Sequence, residues 1–410
     1  MLDGVGAAGY TDPTPIQLRA IPLILAGRDV IGSAQTGTGK TAAFALPMID
    51  RLLARGRRSK TRGPIGLILV PTRELAVQVH QAFTVYGAPL RVRVTAIYGG
   101  ASMSTQLRAL RFGTDVVVAT PGRLIDHLDR RTIDLSGVEI LTLDEADRML
   151  DMGFLPPLRR VQTALPSARQ TLLFSATLPE TVMRLAGEFT RDAVRIDVSQ
   201  GETVAPTITH RIHPVAQDRK RALLLHLLMQ APADQALVFC KTKRGADRVG
   251  EHLEGAGVNT AVIHGDKTQG ARTRALTQFK AGHANVLVAT DIAARGLDVA
   301  QLPLVVNYDL PLVAEDYVHR VGRTGRAGAP GRALSLVTSA DRGLLRDIQK
   351  LLSAPLEQVA ISGFDVTTAA TPSSLERQPS RTLHERPARS ARRIRPPQPR
   401  RPFRARSVAR

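Results

Sequence analysis

The chain of 410 residues is long enough for two core-forming domains, and its hydrophobic content of 43% is ordinary for a globular protein. The sequence has no apolar run of about 18 residues, no secretory signal pattern and a single cysteine, so it predicts no membrane span and no disulfide framework, and it fits the cytoplasm. The net charge of +20 indicates a polyanionic partner, most simply nucleic acid.

A glycine-rich loop lies between a strand predicted at 29–31 and a helix predicted at 42–53. The loop reads Ala34-Gln35-Thr36-Gly37-Thr38-Gly39-Lys40-Thr41. Its backbone N–H groups can wrap phosphates, Lys40 can reach the outer phosphates, and the Thr41 hydroxyl can hold Mg²⁺. Because Ala34 stands where a strict phosphate loop has glycine, a glycine-rich turn without a ligand remains the alternative for this loop taken alone.

Strands and helices alternate along most of the chain. In the first half, helices are predicted at 73–86 and 106–111, and strands at 65–70, 92–98, 116–119, 140–143 and 171–174. After a polar stretch at 198–206, a helix is predicted at 217–230, with strands at 236–240, 260–263, 286–289, 304–307 and 333–337. Such alternation indicates parallel βαβ units with helices on both faces of a sheet. We therefore predict an α/β protein with domains at 1–200 and 208–360.

An acidic segment, Asp144-Glu145-Ala146-Asp147, follows the strand predicted at 140–143. One carboxylate at the end of a buried strand can position a metal ion, and its neighbour can position an attacking water. Because the phosphate loop lies in the same half of the chain, the two segments together predict a site that binds and hydrolyses a nucleotide.

The alternating pattern stops near residue 364. Residues 371–410 contain seven Pro, twelve Arg, no Lys and two Glu, so this tenth of the chain carries +10, half of the net charge. A segment of this composition cannot bury enough apolar surface to fold, and we predict a disordered Arg/Pro-rich tail at 365–410. The tail is interpreted as a tether for RNA, with a merely solubilising end as the alternative.

The motifs of residues 9–355 resemble those of the DEAD-box ATP-dependent RNA helicases, especially bacterial members with a short core and a basic tail. In the first half they are Gly9-Tyr10, 13–17, 34–41, Pro71-Thr72-Arg73-Glu74-Leu75-Ala76, Gly99-Gly100, Thr120-Pro121-Gly122-Arg123, 144–147 and Ser175-Ala176-Thr177. In the second half they are 238–242, Gln269, Arg272, 289–298 and His319-Arg320-Val321-Gly322-Arg323-Thr324-Gly325-Arg326. The resemblance implies two tandem RecA-like domains, each with a mostly parallel sheet flanked by helices.

The resemblance also implies an ATP and Mg²⁺ site divided between the two domains. It assigns Gln17 to the adenine edge, residues 34–41 to the phosphates and Asp298 to the ribose, and it assigns Thr41 and Asp144 to the metal ion. The implied catalytic residues are Lys40, Asp144, Glu145 and two arginine fingers, Arg323 and Arg326. Gln17 read alone would be a helix-surface residue, and no aromatic residue precedes Tyr10 to stack on adenine.

Two further sets of residues follow from the resemblance. Coupling of hydrolysis to strand separation is assigned to Asp147, Ser175, Thr177 and His319. RNA binding is assigned to Thr72, Arg73, Gly99, Gly100, Thr120 and Arg123 in the first domain, and to Gly265, Arg272 and Thr290 in the second. Since aromatic residues make up only 4% of the chain, backbone and 2′-OH contacts with weak sequence preference explain RNA binding better than base stacking does.

The leading hypothesis is an RNA-stimulated ATPase that unwinds short RNA duplexes and remodels ribonucleoproteins. RNA is the expected partner, and the candidate protein partners are those of ribonucleoproteins, RNA degradation or ribosome assembly. A DNA-directed translocase of the same superfamily is the second hypothesis. The third is an RNA chaperone or annealing protein in which the basic tail is the active part.

Overall fold

The computed structural model describes residues 6, 9–34, 38–54, 63–198, 207–230, 235–294, 297, 299, 301–325, 330–352, 355–359, 361 and 364. Two seven-stranded sheets, whose paired strands are all parallel, organise these residues. We call the part built on the first sheet lobe 1 and the part built on the second sheet lobe 2. The predicted α/β class with two mostly parallel sheets is confirmed.

Lobe 1 contains the first seven strands and eight helices. The strands are β1 Val30–Ser33, β2 Gly66–Leu69, β3 Val94–Ile97, β4 Val116–Ala119, β5 Ile140–Leu143, β6 Gln170–Ser175 and β7 Val194–Asp197. The helices are α1 Pro15–Leu25, α2 Lys40–Ala54, α3 Arg73–Gly87, α4 Met103–Arg111, α5 Pro121–Asp129, α6 Ala146–Asp151, α7 Leu155–Thr163 and α8 Glu180–Phe189.

Lobe 2 contains the remaining elements. Its strands are β8 Ile208–Pro214, β9 Ala236–Cys240, β10 Thr260–Ile263, β11 Val286–Thr290, β12 Leu304–Asn307, β13 Gly331–Val337 and β14 Glu357–Gln358. Its helices are α9 Lys220–Met229, α10 Lys243–Gly255, α11 Gln269–Lys280, α12 Asp291–Ala294, α13 Ala314–Val321 and α14 Arg342–Leu352. Short 3₁₀ turns occur at Ala88–Leu90, Gln217–Arg219 and Ser339–Asp341.

The two sheets have the same strand order. Lobe 1 reads β3-β4-β2-β5-β6-β1-β7 and lobe 2 reads β10-β11-β9-β12-β13-β8-β14, so each strand of lobe 2 corresponds to the strand seven places earlier. The carboxyl ends of parallel strands lie at one edge of a sheet, and ligands of open α/β sheets bind outside that edge. The predicted motifs after β1, β2, β4, β5 and β6 therefore share one edge of lobe 1.

Burial on both faces explains the central strands. Every residue of β2, β4, β5, β9 and β11 is buried, as expected for parallel strands covered by helices on each side. Cys240 is the last residue of β9, and its thiol is buried in the core. Burial raises the pKa of this thiol, and the carboxylate of Asp309 raises it further. Cys240 is therefore a packing residue with little thiolate character.

Three strands were missed from the sequence. In β7 one residue of four is buried, and in β8 polar and apolar residues are mixed, because both strands lie toward one edge of their sheets. The third, β14, has two exposed residues. The helix predicted at 217–230 begins as a 3₁₀ turn and becomes α-helical at Lys220. Residues 199–206 of the predicted linker and the tail at 365–410 lie outside the described residues.

Candidate nucleotide and nucleic-acid site

The phosphate loop connects β1 to the first residue of α2. Ala34 donates its backbone N–H to the carbonyl of Ser175 at 3.1 Å, which ties the start of the loop to β6. Lys40 is 6% exposed, and its ammonium donates to the Ala34 carbonyl at 2.7 Å. The lysine thus lies across the loop that it helps to form. Thr38, Gly39, Lys40 and Thr41 are described, whereas Gln35, Thr36 and Gly37 lie outside the described residues.

Gln17 is bonded to this loop. Its side-chain oxygen accepts from the backbone N–H of Thr14 at 2.9 Å, and its side-chain nitrogen donates to the carbonyl of Gly39 at 3.1 Å. Gly39 has a φ of +89°, a backbone conformation that favours glycine. A Cβ at this position would also collide with the Gln17 amide. The interpretation of Gln17 as a surface residue is wrong, because it is only 5% exposed. Its assignment to adenine remains a prediction.

Tyr10 packs beside this region. Its hydroxyl and that of Tyr86 on α3 are 3.0 Å apart, and the ring centroids are separated by 6.1 Å. Tyr10 is therefore a packing residue. Because Tyr10 holds α3 against the segment before α1, it supports the placement of Gln17 indirectly.

Asp144 lies at the buried end of β5. Its backbone N–H donates to the carbonyl of Leu69, and its carboxylate accepts from the N–H of Glu145 at 3.0 Å. Burial raises the pKa of Asp144 to about 7, the ammonium of Lys40 opposes that rise, and the carboxylate of Glu145 adds to it. A divalent cation would stabilise the ionised form of such a carboxylate. The hard oxygen donors of Asp144 and half-buried Thr41 thus fit Mg²⁺.

Glu145 occupies a strained backbone position. Its φ of +55° and ψ of +52° place a non-glycine residue in the left-handed region, between β5 and α6. Its carboxylate lies 3.4 Å from the guanidinium of Arg148 one helical turn later, and both side chains are buried.

Asp147 joins the acidic segment to the motif after β6. Its carboxylate accepts from the backbone N–H groups of Ala176 and Thr177 and from the Thr177 hydroxyl, all at 3.1–3.2 Å. The Asp147 N–H donates to the Ser175 hydroxyl at 3.2 Å. Three of the four predicted coupling residues, Asp147, Ser175 and Thr177, are therefore in direct contact.

The electrostatics of Asp147 bring in the fourth coupling residue. Burial acts to raise the pKa of this carboxyl, but the positive charges of Lys40 and Arg148, with a smaller contribution from His319, hold the pKa below its ordinary value. Since His319 belongs to α13 of lobe 2, the pKa of Asp147 in lobe 1 depends in part on a residue of the second lobe.

The arginines in the last turn of α13 and just after it have different surroundings. Arg320 forks onto the carboxylate of Asp291 with two hydrogen bonds of 2.6 Å, donates to Asn307 at 2.9 Å, and lies 4.9 Å from the centre of the Phe239 ring. These partners make Arg320 a structural residue. Arg323 is 6% exposed and donates to the carbonyl of Leu297 at 2.8 Å. Arg326 and Asp298 lie outside the described residues.

A small cavity lies between Arg148 of lobe 1 and the arginines of lobe 2. Its lining residues are Arg148, Phe239, Asp291, Ala294, Asp316, His319, Arg320 and Arg323. Arg148 is the lobe 1 member of this set. In the part of the chain that the structure describes, three or more His, Cys, Asp or Glu residues nowhere gather as a metal-binding cluster.

The predicted RNA residues of lobe 1 surround one loop. Arg73 covers Gly99 and Gly100, since a Cβ at Gly99 would meet its guanidinium at 3.3 Å and a Cβ at Gly100 would collide with it. From the other side, Arg123 donates to the carbonyl of Ala101 at 3.1 Å. Thr72 and Thr120 begin the adjacent helices α3 and α5. The two glycines thus leave room for Arg73, a reason that the sequence did not reveal.

The predicted RNA residues of lobe 2 include one that reaches lobe 1. The Arg272 guanidinium lies 2.8 Å from the carboxylate of Glu74, and Gln269 donates to the same carboxylate at 3.2 Å. Burial lowers the pKa of Arg272 and the charge of Glu74 opposes this. Gly265 lies beside the Lys243 side chain, and Thr290 is buried at the end of β11. Glu74 is therefore a site residue that the sequence reading left without a role.

These features define a nucleotide-binding protein of two tandem RecA-like lobes. Residues 14–185 match the family model for the DEAD/DEAH box helicase, and residues 219–328 match that for the helicase conserved C-terminal domain. The chain belongs to the DEAD-box ATP-dependent RNA helicase family. Among the described residues, the helices are too short or too polar to cross a membrane.

Named relatives show how far the likeness extends. The chain is 45% identical over 367 residues to the ATP-dependent RNA helicase DeaD of Escherichia coli K12, covering 89% of this chain and 58% of that protein. It is 42% identical over 365 residues to the DEAD-box ATP-dependent RNA helicase CshA of Bacillus cereus, covering 89% and 69%. The chain spans about three fifths of the length of several such relatives.

The similarity to a solved structure extends over both lobes. S. cerevisiae Dbp5 bound to RNA and ADP BeF3 is similar over 87% of this chain and 92% of its own, with 30% identity and a TM-score of 0.77. This similarity covers both sheets together.

Proposed function

We propose that this chain is an ATP-dependent RNA helicase whose ATP hydrolysis is stimulated by RNA and separates short RNA duplexes. The observation that carries the proposal is the approach of two half-sites. Asp147 of lobe 1 is close enough to His319 of lobe 2 for the charge of the histidine to lower its pKa, and Arg323 lines the same cavity. Relatives named as ATP-dependent RNA helicases support the same function.

Within the ATP site, each predicted residue would have one task. Lys40 and the N–H groups of residues 34–41 would hold the phosphates, Gln17 would bind the adenine edge, and Asp298 would bind the ribose. Bound Mg²⁺, held through Thr41 and Asp144, would neutralise charge on the phosphates. Glu145 would orient the attacking water and take up its proton.

The arginines of lobe 2 would complete the site. Arg323 and Arg326 would stabilise charge that develops on the γ-phosphate, an effect worth about 10³–10⁵ in rate for arginine fingers. Their position in lobe 2 makes hydrolysis dependent on closure. The contact set of Asp147, Ser175 and Thr177, with His319 opposite, would transmit closure to the RNA side of lobe 1.

RNA would bind along both lobes. Arg73, Arg123, Thr72, Thr120 and the two adjacent glycines would contact the sugar-phosphate backbone of one strand on lobe 1, and Gly265, Arg272 and Thr290 would contact it on lobe 2. Dbp5, which is similar over both lobes, carries RNA and ADP BeF3 together. Binding through the backbone would give weak sequence preference and would let closure bend one strand of a duplex.

The basic tail and the cellular setting belong to the same proposal. The tail would tether RNA. The protein would act in the cytoplasm, with protein partners from ribonucleoproteins, RNA degradation or ribosome assembly. Deleting 371–410 should flatten the dependence of RNA affinity on salt, because fewer counterions are released. An unchanged slope would contradict tethering.

Substitution of Glu145 tests the enzyme. Glu145→Gln keeps the size of the side chain but removes the base, so ATP should bind with nearly unchanged affinity while RNA-stimulated turnover falls by about 100-fold or more. Turnover should be measured with and without RNA, and nucleotide affinity by titration. Undiminished turnover would contradict the assignment.

The same assay separates the alternative functions. The turnover of a DNA-directed translocase would not depend on 2′-OH groups and would be stimulated by DNA, whereas an RNA helicase requires the 2′-OH groups. An annealing protein would keep its annealing rate in Lys40→Ala and lose it when 371–410 are removed. Membership of the DEAD-box family favours the helicase over both.

A further inference from the structure

Three buried polar atoms without hydrogen-bond partners meet beside the acidic strand end. They are Oε2 of Glu145 and Nε and Nη1 of Arg148, all within the part of the chain that the structure describes. The Nε–Oε2 distance of 3.4 Å is an ion pair rather than a normal hydrogen bond. The side chains of Arg148 and Glu145 are only 3% and 6% exposed.

Such an arrangement costs stability. A buried polar atom without a partner loses about 1–3 kcal/mol of solvation, and more when it is charged. A buried ion pair offsets the desolvation of its charges only when its hydrogen bonds are well made. Since most buried polar groups of proteins are satisfied, three such atoms in one pair point to a use in function.

The backbone around the pair is fixed. The N–H of Arg148 donates to the Asp147 carboxylate at 2.9 Å, and Asp147 is held in turn by Ala176 and Thr177. Glu145 is held in its left-handed conformation. Both Cα positions are therefore set, and the only freedom left to the Glu145 carboxylate is rotation of its own side chain.

The guanidinium of Arg148 also faces lobe 2. Arg148 lines the cavity between the lobes together with Asp291, Asp316, His319 and Arg323. Its position therefore depends on what fills that cavity and on how lobe 2 closes. Arg148 is the side chain through which closure can reach the carboxylate of Glu145.

We propose that Arg148 is a positioning residue that orients the Glu145 carboxylate for hydrolysis when lobe 2 closes. The inference rests on the proposed function, since it assumes that Glu145 handles the attacking water. In the reacting complex, the ion pair of 3.4 Å would shorten to a hydrogen bond that confines the carboxylate to one rotamer. In this role Arg148 acts on hydrolysis through the carboxylate of Glu145.

A double-mutant cycle tests this positioning role. Arg148→Met keeps the length of the side chain and removes the guanidinium, and a misplaced catalytic group costs up to about 100-fold in rate. Single-turnover ATP hydrolysis at saturating RNA should fall by about 10- to 100-fold, while ATP affinity changes less than about threefold. Arg148→Lys, which restores the charge but not the planar guanidinium, should recover part of the rate.

In the Glu145→Gln background, Arg148→Met should cause no further loss of rate, because the effects of residues that act as a unit are not additive.

Controls keep the outcomes apart. Arg159→Met removes an exposed arginine that pairs with Glu188, and it should leave every rate unchanged. Unfolding temperatures identify variants that lose the fold, and Arg148→Lys then carries the test. An equal loss in both backgrounds, or no loss in either, overturns the role of Arg148. Undiminished turnover of Glu145→Gln alone would instead overturn the proposed function.

Discussion

The two lobes share one strand order, but a buried lysine at a comparable place in each lobe has different partners. Lys40 is the first residue of the helix after β1, and Lys220 is the first residue of the helix after the 3₁₀ turn that follows β8, the strand equivalent to β1. Both are buried, with 6% and 1% exposed. Each lies near a carboxylate just after equivalent strands, Asp144 after β5 and Asp309 after β12.

The difference lies in the partners of the two lysines. Lys220 donates to the carbonyl of Tyr308 at 2.9 Å and lies 3.3 Å from Asp309 and 3.7 Å from Asp341, so its charge is used within the fold. Lys40 donates to a loop carbonyl, and the pKa of its neighbouring carboxyl remains raised. A satisfied lysine stabilises a lobe, whereas one beside a glycine-rich loop can exchange its partner for a phosphate.

Removing Lys40 should lower catalytic turnover far more than it lowers the stability of the fold. Lys40→Ala should lower RNA-stimulated turnover by about 100- to 1,000-fold, equivalent to about 3–4 kcal/mol, the range for removal of one donor that stabilises developing charge. The unfolding midpoint should change little, since the lost hydrogen bond is to one loop carbonyl. Steady-state ATPase assays and urea unfolding provide the two measurements. A loss of stability that matches the loss of activity would mean that Lys40 is structural like Lys220.

Removing Lys220 should have the reverse effect. Lys220→Met leaves the carboxylates of Asp309 and Asp341 without their cation. The expected loss is about 3 kcal/mol of unfolding free energy, at the low end for a broken buried pair because both carboxylates are about a fifth exposed. Urea unfolding monitored by circular dichroism measures it. At temperatures where the variant is folded, its turnover should stay near that of the parent, and a stable but inactive Lys220→Met would show that lobe 2 also uses its lysine in catalysis.

The contact between the lobes gives a third, smaller effect. Glu74→Gln keeps the shape of the side chain but removes the charge that pairs with Arg272. Closure should weaken, and the RNA concentration that half-maximally stimulates ATPase should rise about tenfold, or about 1.4 kcal/mol. The matched control is Glu180→Gln, whose carboxylate is 87% exposed and lies 3.9 Å from Arg184, and it should change nothing.

A second substitution tells whether Arg272 serves closure or RNA. If Arg272 acts through Glu74 alone, Arg272→Gln in the Glu74→Gln background should add no further loss. An additional loss of RNA affinity in the double variant would support the predicted contact of Arg272 with RNA. RNA titrations followed by ATPase rate and by fluorescence anisotropy separate closure from binding.

These contacts show what the sequence can and cannot predict. The buried strands were predicted correctly, since apolar runs are local signals. The edge strand β14 was missed because its two residues carry no apolar pattern. The hydrogen bond from Gln17 to Gly39 joins residues 22 positions apart. The ion pair of Glu74 with Arg272 joins residues 198 positions apart, since 272 − 74 = 198. Such contacts depend on how elements pack, which a single sequence does not contain.

The smallest expected effect concerns pH and sharpens the view of Lys220 as a structural residue. Burial acts to raise the pKa of Asp341, but hydrogen bonds from Thr338, at 2.7 and 2.9 Å, and the charge of Lys220 hold it below its ordinary value of 3.8. A carboxyl whose pKa is lower in the folded protein binds fewer protons there than in the unfolded chain. Its stabilisation is therefore complete above pH 3.8 and is lost as the pH falls through the lowered pKa.

Asp341→Asn should accordingly flatten the fall of unfolding free energy below pH 3.8 and leave its slope near pH 7 unchanged. Urea unfolding at a series of acid pH values measures both slopes. Asp218→Asn makes the same change of charge at an exposed position of the 3₁₀ turn before α9, and it provides the matched control. A slope that stays the same in Asp341→Asn would mean that Lys220 is balanced by Asp309 alone. The structural lysine of lobe 2 would then have a single carboxylate partner.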